Sequence, residues 1–233
     1  MQNIPISHVE KVQALRQVDY FKSLGLAVLD SLALGVSLRR YNRGEIIFWE
    51  SDPCSGLHII KKGSVKLFKL SPQGRELIIN TNDEGTSFNE VPVFDDGENP
   101  VNAAALENCE IWVVDAAVIR HTMEDNPEMC KAVIQSLSAN LRMMVSKVEE
   151  LSFYQVTNRL ARLISQLPEE QLSGQGFPRL TQDQLAARLG TVREVVARSL
   201  QQLQRSGAIR VGKRQIEILD EDVLNDWAQC PTE

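Results

Sequence analysis

The chain has 233 residues, 43% of them apolar, and a formal net charge of −6. That length and apolar content suit two domains with real cores rather than one, and the negative charge excludes indiscriminate nucleic-acid binding. No apolar run is long enough to span a membrane and the N-terminus lacks the pattern of a signal peptide, so a soluble, cytoplasmic protein is expected, with no membrane partner.

Residues 7 to 35 read as helical, with Leu24, Val28 and Leu32 on one face. From about residue 36 to 115 the texture changes to short strands punctuated by glycine. Glu45–Trp49, Gly56–Ile60, Ser64–Leu70, Glu76–Ile79 and Glu110–Val114 are strand-like. Turn signals separate them at Asn42–Gly44, Asp52–Pro53, Lys62–Gly63, Ser71–Gly74 and Asp95–Gly97. Such spacing predicts a small antiparallel barrel or roll. Cys54, Cys109, Cys130 and Cys230 are scattered, with no CxxC and no close His, so reduced thiols are expected rather than a zinc or iron–sulfur site. Three dispersed histidines, His8, His58 and His121, also argue against a metal-dependent enzyme built in the barrel. No enzymatic activity is expected.

Cys130, Ile134, Leu137, Leu141, Met144, Val148 and Leu151 follow spacings of 4, 3, 4, 3, 4 and 3, the a/d seam of a coiled coil. Asn140, Arg142 and Lys147 fall outside it. The stripe is narrower than a helix packed on its own domain needs, so it predicts a homodimer helix.

Residues 181 to 207 carry the clearest signal. Thr181 with Gln184, and Thr191 with Glu194, both read as capping boxes at helix starts ten residues apart. Gly190 lies between them, where a left-handed turn is needed. This is a helix-turn-helix, whose second helix can enter the DNA major groove. Val192, Val196, Leu200 and Leu203 form its buried stripe, which leaves Arg193, Glu194, Ala197 and Arg198 facing out. Arg can grip guanine O6 and N7 as a fork, and Glu can accept from cytosine N4. Ala208–Val211 and Gln215–Leu219 then read as a hairpin, the wing of a winged helix, with Lys213 and Arg214 at its tip near a DNA phosphate. Thr181 and Thr191 are further candidates for backbone contact. Residues 181–215 hold seven cations against Asp183 and Glu194, a local net charge of +5 on an acidic chain.

A β-roll, a long dimer helix and a C-terminal winged helix, in that order, resemble the Crp/Fnr family of bacterial transcription regulators over about residues 18 to 227. Gly44–Phe48, Lys62–Leu67 and Phe88–Phe94 look like roll landmarks of that family, and Leu151–Leu160 like its hinge. The resemblance implies an α+β fold with a sensor domain over residues 1–126, a dimerisation helix over 127–153 and a DNA-binding domain over 154–233. It implies a homodimer that binds double-stranded DNA and works with RNA polymerase, under an unidentified small-molecule effector. Arg193, Glu194 and Arg198 are arranged as in the cyclic-AMP receptor branch, which implies guanine reading by the two arginines and cytosine reading by the glutamate in a TGTGA-like palindrome.

The sensor departs from the family pattern. Asn89–Glu90 aligns with the nucleotide cassette's Gly-Glu pair, but Pro100–Val101 stands where Arg and Ser or Thr bind the cyclic phosphate. An anion buried there without a cation would lose several kcal/mol of hydration. Phe88, Asn89, Glu90, Pro100, Val101 and Asn140 remain the candidate effector pocket, with cyclic AMP in its usual mode not expected. The N-terminal cysteine group of the oxygen-sensing branch is missing from residues 1 to 53, which argues against an iron–sulfur cluster. Haem, with His58 or His121 as axial ligand, stays open, as does a roll that serves only as a dimerisation scaffold. A hinge near Phe153 and Tyr154 is expected to re-aim the recognition helices.

Overall fold

The computed structural model describes residues 6–22, 24–173, 181–212 and 215–229. They fall into two compact units, one from residues 1–69 and 79–141, the other from 70–78 and 142–233.

The first unit opens with α1 (His8–Leu15), started by a capping box in which Ser7 and Glu10 bond reciprocally. A 3₁₀ turn at Asp19–Phe21 precedes α2 (Leu26–Leu34). The helical stretch is therefore broken, because Gly25 is the N-cap of α2 and leaves Leu24 in the connection. Val28 and Leu32 do share α2, the first half-buried and the second fully buried.

Eight strands follow: β1 (Val36–Tyr41), β2 (Ile46–Phe48), β3 (Leu57–Lys62), β4 (Val65–Leu70), β5 (Glu76–Asn82), β6 (Ser87–Phe88), β7 (Asn102–Ala105) and β8 (Cys109–Val114), with a short helix α3 (Glu90–Asp95) between β6 and β7. They form two four-stranded sheets, ordered β1-β8-β3-β6 and β2-β7-β4-β5. Every registered strand pair is antiparallel, as expected of a roll. Strand β8 shows how the layers are made. Ile111 and Val113 join Tyr41, Phe48, Phe88, Ala103 and Ala105 in one core, while Trp112 and Val114 join the helices in another. The period-2 alternation thus buries both faces of this sheet. Gly56 precedes β3 at φ +122°, where a Cβ would stand 2.2 Å from the Val114 carbonyl oxygen. Only glycine lets β3 reach its partner there.

Beyond β8, α4 (Ala116–Glu124) is N-capped by Asp115, whose carboxylate accepts from the amides of Ala117 and Val118. His121 lies in its last turn. Then comes α5 (Pro127–Phe153), 27 residues long. Met129 and Val133 bury in the first unit's helical core, with Leu137 partly buried against it. By contrast Ile134, Leu141, Val148 and Leu151 are 57–65% exposed in the single chain.

In the second unit are α6 (Val156–Ser165), α7 (Glu169–Leu172), α8 (Gln182–Leu189), α9 (Arg193–Arg205), β9 (Ile209–Val211), β10 (Ile216–Ile218) and α10 (Glu221–Gln229). Leu160, Ala161 and Ile164 of α6 anchor its core. The same helix satisfies carbonyls in the last turn of α10: Asn158 Nδ2 donates to the Trp227 oxygen at 2.9 Å and Arg162 Nη2 to that of Ala228 at 2.8 Å.

His58 is the roll's most unusual interior residue. It is 0% exposed, its ring stacks on Phe88 at 4.9 Å and lies 5.4 Å from Phe48, and neither ring nitrogen has a hydrogen-bond partner. Burial, aided by the charge of Arg39, lowers its pKa from 6.5 to about 3, so the folded ring is neutral. The unfolded chain alone takes up the proton between those values. Stability from this group is complete above pH 6.5 and drains as pH falls, by up to about 1.4 kcal/mol per unit. Urea titrations of His58→Leu should therefore show a flatter decline from pH 6.5 to 4 than the wild type, with neutral or raised stability at pH 7 because two orphaned nitrogens are gone. Superimposable pH profiles would contradict this account.

Candidate nucleic-acid interface and sensor residues

Helix α8 begins with the capping box read from the sequence. Gln184 N donates to Thr181 Oγ1 at 3.2 Å, and the Thr181 amide donates back to Gln184 Oε1 at 3.1 Å. Gly190 ends it in the left-handed region at φ 66°, and the Thr191 amide bonds back to the Ala186 carbonyl at 3.0 Å.

The second box does not form. Helix α9 starts one residue late, with Val192 as N-cap and no side-chain acceptor. Glu194 is then the second helical residue, one short of the position from which it could reach back. Val192 also leaves the buried stripe and is 38% exposed, because an N-cap lies outside the helical period. The first amides of α9 are left without a side-chain cap, which suits a DNA phosphate oxygen.

The rest of the stripe holds. Val196, Leu200 and Leu203 are buried, joined by Ser199, which accepts a 2.9 Å hydrogen bond from Thr157 on α6. Arg193, Glu194 and Arg198 are exposed on the other side, with Ala197 half-buried. The structure thus brings the three base-reading candidates onto one surface, and places Thr181 exposed and Thr191 half-buried at the two helix starts. Gln182, not singled out from sequence, meets Arg193: the guanidinium Nε donates to Gln182 Oε1 at 3.4 Å, and Nη1 lies 3.8 Å from Asp183 Oδ2. Its signal was its place at the first residue of α8, across a one-turn connection from the start of α9.

Strands β9 and β10 pair antiparallel, Val211 opposite Ile216, with Gly212 N donating to the Gln215 carbonyl at 2.9 Å. The wing hairpin is therefore present. Lys213 and Arg214, its expected phosphate contacts, lie outside the described residues.

In the roll, Phe88, Asn89 and Glu90 form the turn from β6 into α3. Phe88 is buried in the inter-sheet core. Asn89 is the N-cap of α3 at φ 75°, and its Nδ2 donates to the Gly56 carbonyl at 3.2 Å while Oδ1 is buried without a partner. Glu90 accepts from Ser87 Oγ at 2.6 Å, and burial raises its pKa. Two amides extend this line, Asn80 Nδ2 donating to Asn82 and Asn82 Nδ2 to the Ser87 carbonyl. Pro100 is exposed and Val101 half-buried. The Pro100 carbonyl accepts from Lys69 Nζ at 2.9 Å, and that lysine is ion-paired with Glu50. Asn80, Asn82 and Lys69 were not singled out from the sequence; the partners of Lys69 lie 19 and 31 residues away. Asn140 lies on the exposed surface of α5.

The buried histidine does not fit haem. His58 is enclosed by Phe48 and Phe88, so no face is open to a porphyrin iron. His8 and His121 are exposed and paired with Asp30 and Glu124. Burial raises the thiol pKa of Cys54 and Cys109, which disfavours a reactive thiolate. Among the described residues, no group of three or more His, Cys, Asp or Glu is placed to hold a metal, and no helix is long and apolar enough to cross a membrane.

Comparison with known proteins agrees with this anatomy. Residues 38–126 match the cyclic nucleotide-binding domain, and residues 158–227 the Crp-like helix-turn-helix domain. A CRP-like cAMP-activated global transcriptional regulator of Mycobacterium tuberculosis is 25% identical over 217 residues, covering 91% of this chain and 97% of its own. The cyclic AMP receptor protein of Thermus thermophilus is 29% identical over 198 residues, 84% of this chain and 91% of that one. Among solved structures, a Crp/Fnr-family regulator from Eubacterium rectale superposes with a TM-score of 0.77, covering 92% of this chain and all of that one at 20% identity, a likeness of fold. With both domain families matched in this order along one α+β chain, the protein belongs to the Crp/Fnr family of DNA-binding transcription regulators.

Proposed function

We propose that the chain is a cytoplasmic homodimeric regulator that binds a palindromic, TGTGA-like operator and recruits or obstructs RNA polymerase under the control of a ligand in the roll. One observation carries the DNA reading: α9 buries Val196, Leu200 and Leu203 and presents Arg193, Glu194 and Arg198 together on its exposed side. Arg193 and Arg198 would grip guanines as forks, and Glu194 would accept from the cytosine between them. Residues 1–126, 127–153 and 154–233 would serve as sensor, dimer helix and reader. The hinge would run through Phe153, exposed at the end of α5, and Tyr154, whose ring lies 4.3 Å from the Arg162 guanidinium carbon. A ligand in the roll could move that hinge only by binding one dimer state better than the other.

The dimer reading is supported by the exposed apolar edge of α5. Isolated exposed leucines are ordinary, but Ile134, Leu141, Val148 and Leu151 repeat at heptad-compatible spacing along one helix. Leu137 and Met144, the alternate seam positions, are half-buried and would lie at its margin.

The effector is argued to be something other than cyclic AMP in its usual mode. Pro100 offers no donor, its carbonyl is taken by Lys69, and that cation is neutralised by Glu50. Glu90 adds a carboxylate on the same side of the charge balance. An anionic ligand would find little compensation there.

Three measurements test these readings. Selection from random duplexes should enrich paired TGTGA-like half-sites, and Arg198→Ala should lose roughly 1–3 kcal/mol of discrimination at one base position. Enrichment of nothing, or an Arg198→Ala variant that discriminates as wild type, overturns the reader assignment. Sedimentation equilibrium should give twice the chain mass for wild type and the single-chain mass for Leu141→Glu/Val148→Glu; a monomeric wild type removes the seam. Calorimetry should detect no micromolar cyclic AMP binding to wild type, whereas Pro100→Arg/Val101→Ser should tighten it roughly ten- to hundredfold through a charge-assisted bond. Tight binding by wild type would show that another group supplies the cation.

A further inference from the structure

Gln182 and Asp183 open α8, the helix that does not read bases, yet both meet Arg193, the first residue of α9. The guanidinium is held from one edge. Its Nε donates to Gln182 Oε1 at 3.4 Å, and its Nη1 stands 3.8 Å from Asp183 Oδ2. The arginine side chain is 62% exposed. A free arginine has many rotamers, and part of that freedom is lost on each binding event. Any group that fixes the side chain beforehand reduces that loss.

From this geometry we infer that Gln182 and Asp183 are positioning residues that determine specificity by pre-aiming Arg193; the inference rests on the DNA reading above. Gln182 occupies the Nε edge and leaves the terminal nitrogens to form a guanine fork. Asp183 has a second effect, since its carboxylate offsets the arginine's charge. Arg193 is then less available to any phosphate it meets on random DNA, and its full interaction is reserved for a partner with two aligned acceptors. Two features of the sequence make the arrangement legible only in three dimensions. The pair lies eleven and ten residues before Arg193, and the left-handed turn at Gly190 is what folds them together. The exposed pair is individually weak, which sets the expected size of the effect.

The test compares operator and random-duplex affinities for the full-length protein, wild type against Gln182→Ala/Asp183→Asn, each also in an Arg193→Ala background. These substitutions leave the Thr181–Gln184 capping box intact. The double variant should lower the operator-to-random ratio roughly two- to fivefold, with relaxed discrimination confined to the base that Arg193 reads. In the Arg193→Ala background the same substitutions should leave the ratio unchanged, because there is no guanidinium to aim. An unchanged ratio in the wild-type background, or an equal loss in both backgrounds, would overturn the positioning role and leave Asp183 as a simple phosphate repellent. Should wild type itself enrich no operator, the DNA reading fails first, and that outcome is distinct from a wild type that selects an operator as well as its double variant does. Gln182→Glu, which keeps an acceptor at the same reach, should restore discrimination.

Discussion

The burial of one stripe on α9 is the constraint from which the reader follows. Val196, Leu200 and Leu203 pack into a core anchored by Leu160, Ala161 and Ile164 of α6 and by Leu185 and Leu189 of α8. A helix held along one side has no rotational freedom left, so the residues a half-turn away must face solvent. Ser199 strengthens the lock, because its hydroxyl bonds Thr157 inside the same interface. Rotating α9 by a single residue would bury Arg198 and expose Leu200. Apolar burial worth about 1.5–3 kcal/mol for each large side chain opposes that rotation.

The first unit solves a different problem. Its β1-β8-β3-β6 sheet is buried on both faces over most of its length, with Arg40 and Lys62 exposed at one end, so its buried strand residues must suit one of two cores. Phe48 faces Ala103 across the β2–β7 ladder, a large side chain opposite a small one. His58 breaks the apolar rule inside that space and remains neutral to do so. The polar line from Asn80 through Asn82 and Ser87 to Glu90 runs along the neighbouring edge, where β5 is half-buried throughout.

Exposed ion pairs contribute little to folding here. The pair formed by Arg193 with Asp183, and that of Arg210 with Glu217 on the wing, add little to stability because both are well exposed. The acidic balance of the whole chain and the basic balance of residues 181–215 act together in the same sense, since they confine attraction for phosphate to one surface.

Read alone, the sequence determined the architecture and its order: five of the roll's strands by short apolar runs between glycine turns, α5 by its heptads, α8 by its capping box, and the exposed triad of α9 by the 3.6-residue period, while β1 and β6 were not read. These are local signals, set by neighbours within a few residues. What it could not supply depends on partners far along the chain. Asn102–Ala105 is a poor strand by propensity and becomes β7 between β2 and β4, with Ala103 and Ala105 buried in the inter-sheet core. The start of α9 shifted to Val192 because the turn after Gly190 consumed the residue expected to cap it. His58 looked like a candidate ligand until Phe48 and Phe88 closed around it, and Gln182 looked like an ordinary helix residue until the Gly190 turn set it against Arg193. Periodicity assigns a residue to a face, but only the packed chain decides what that face meets.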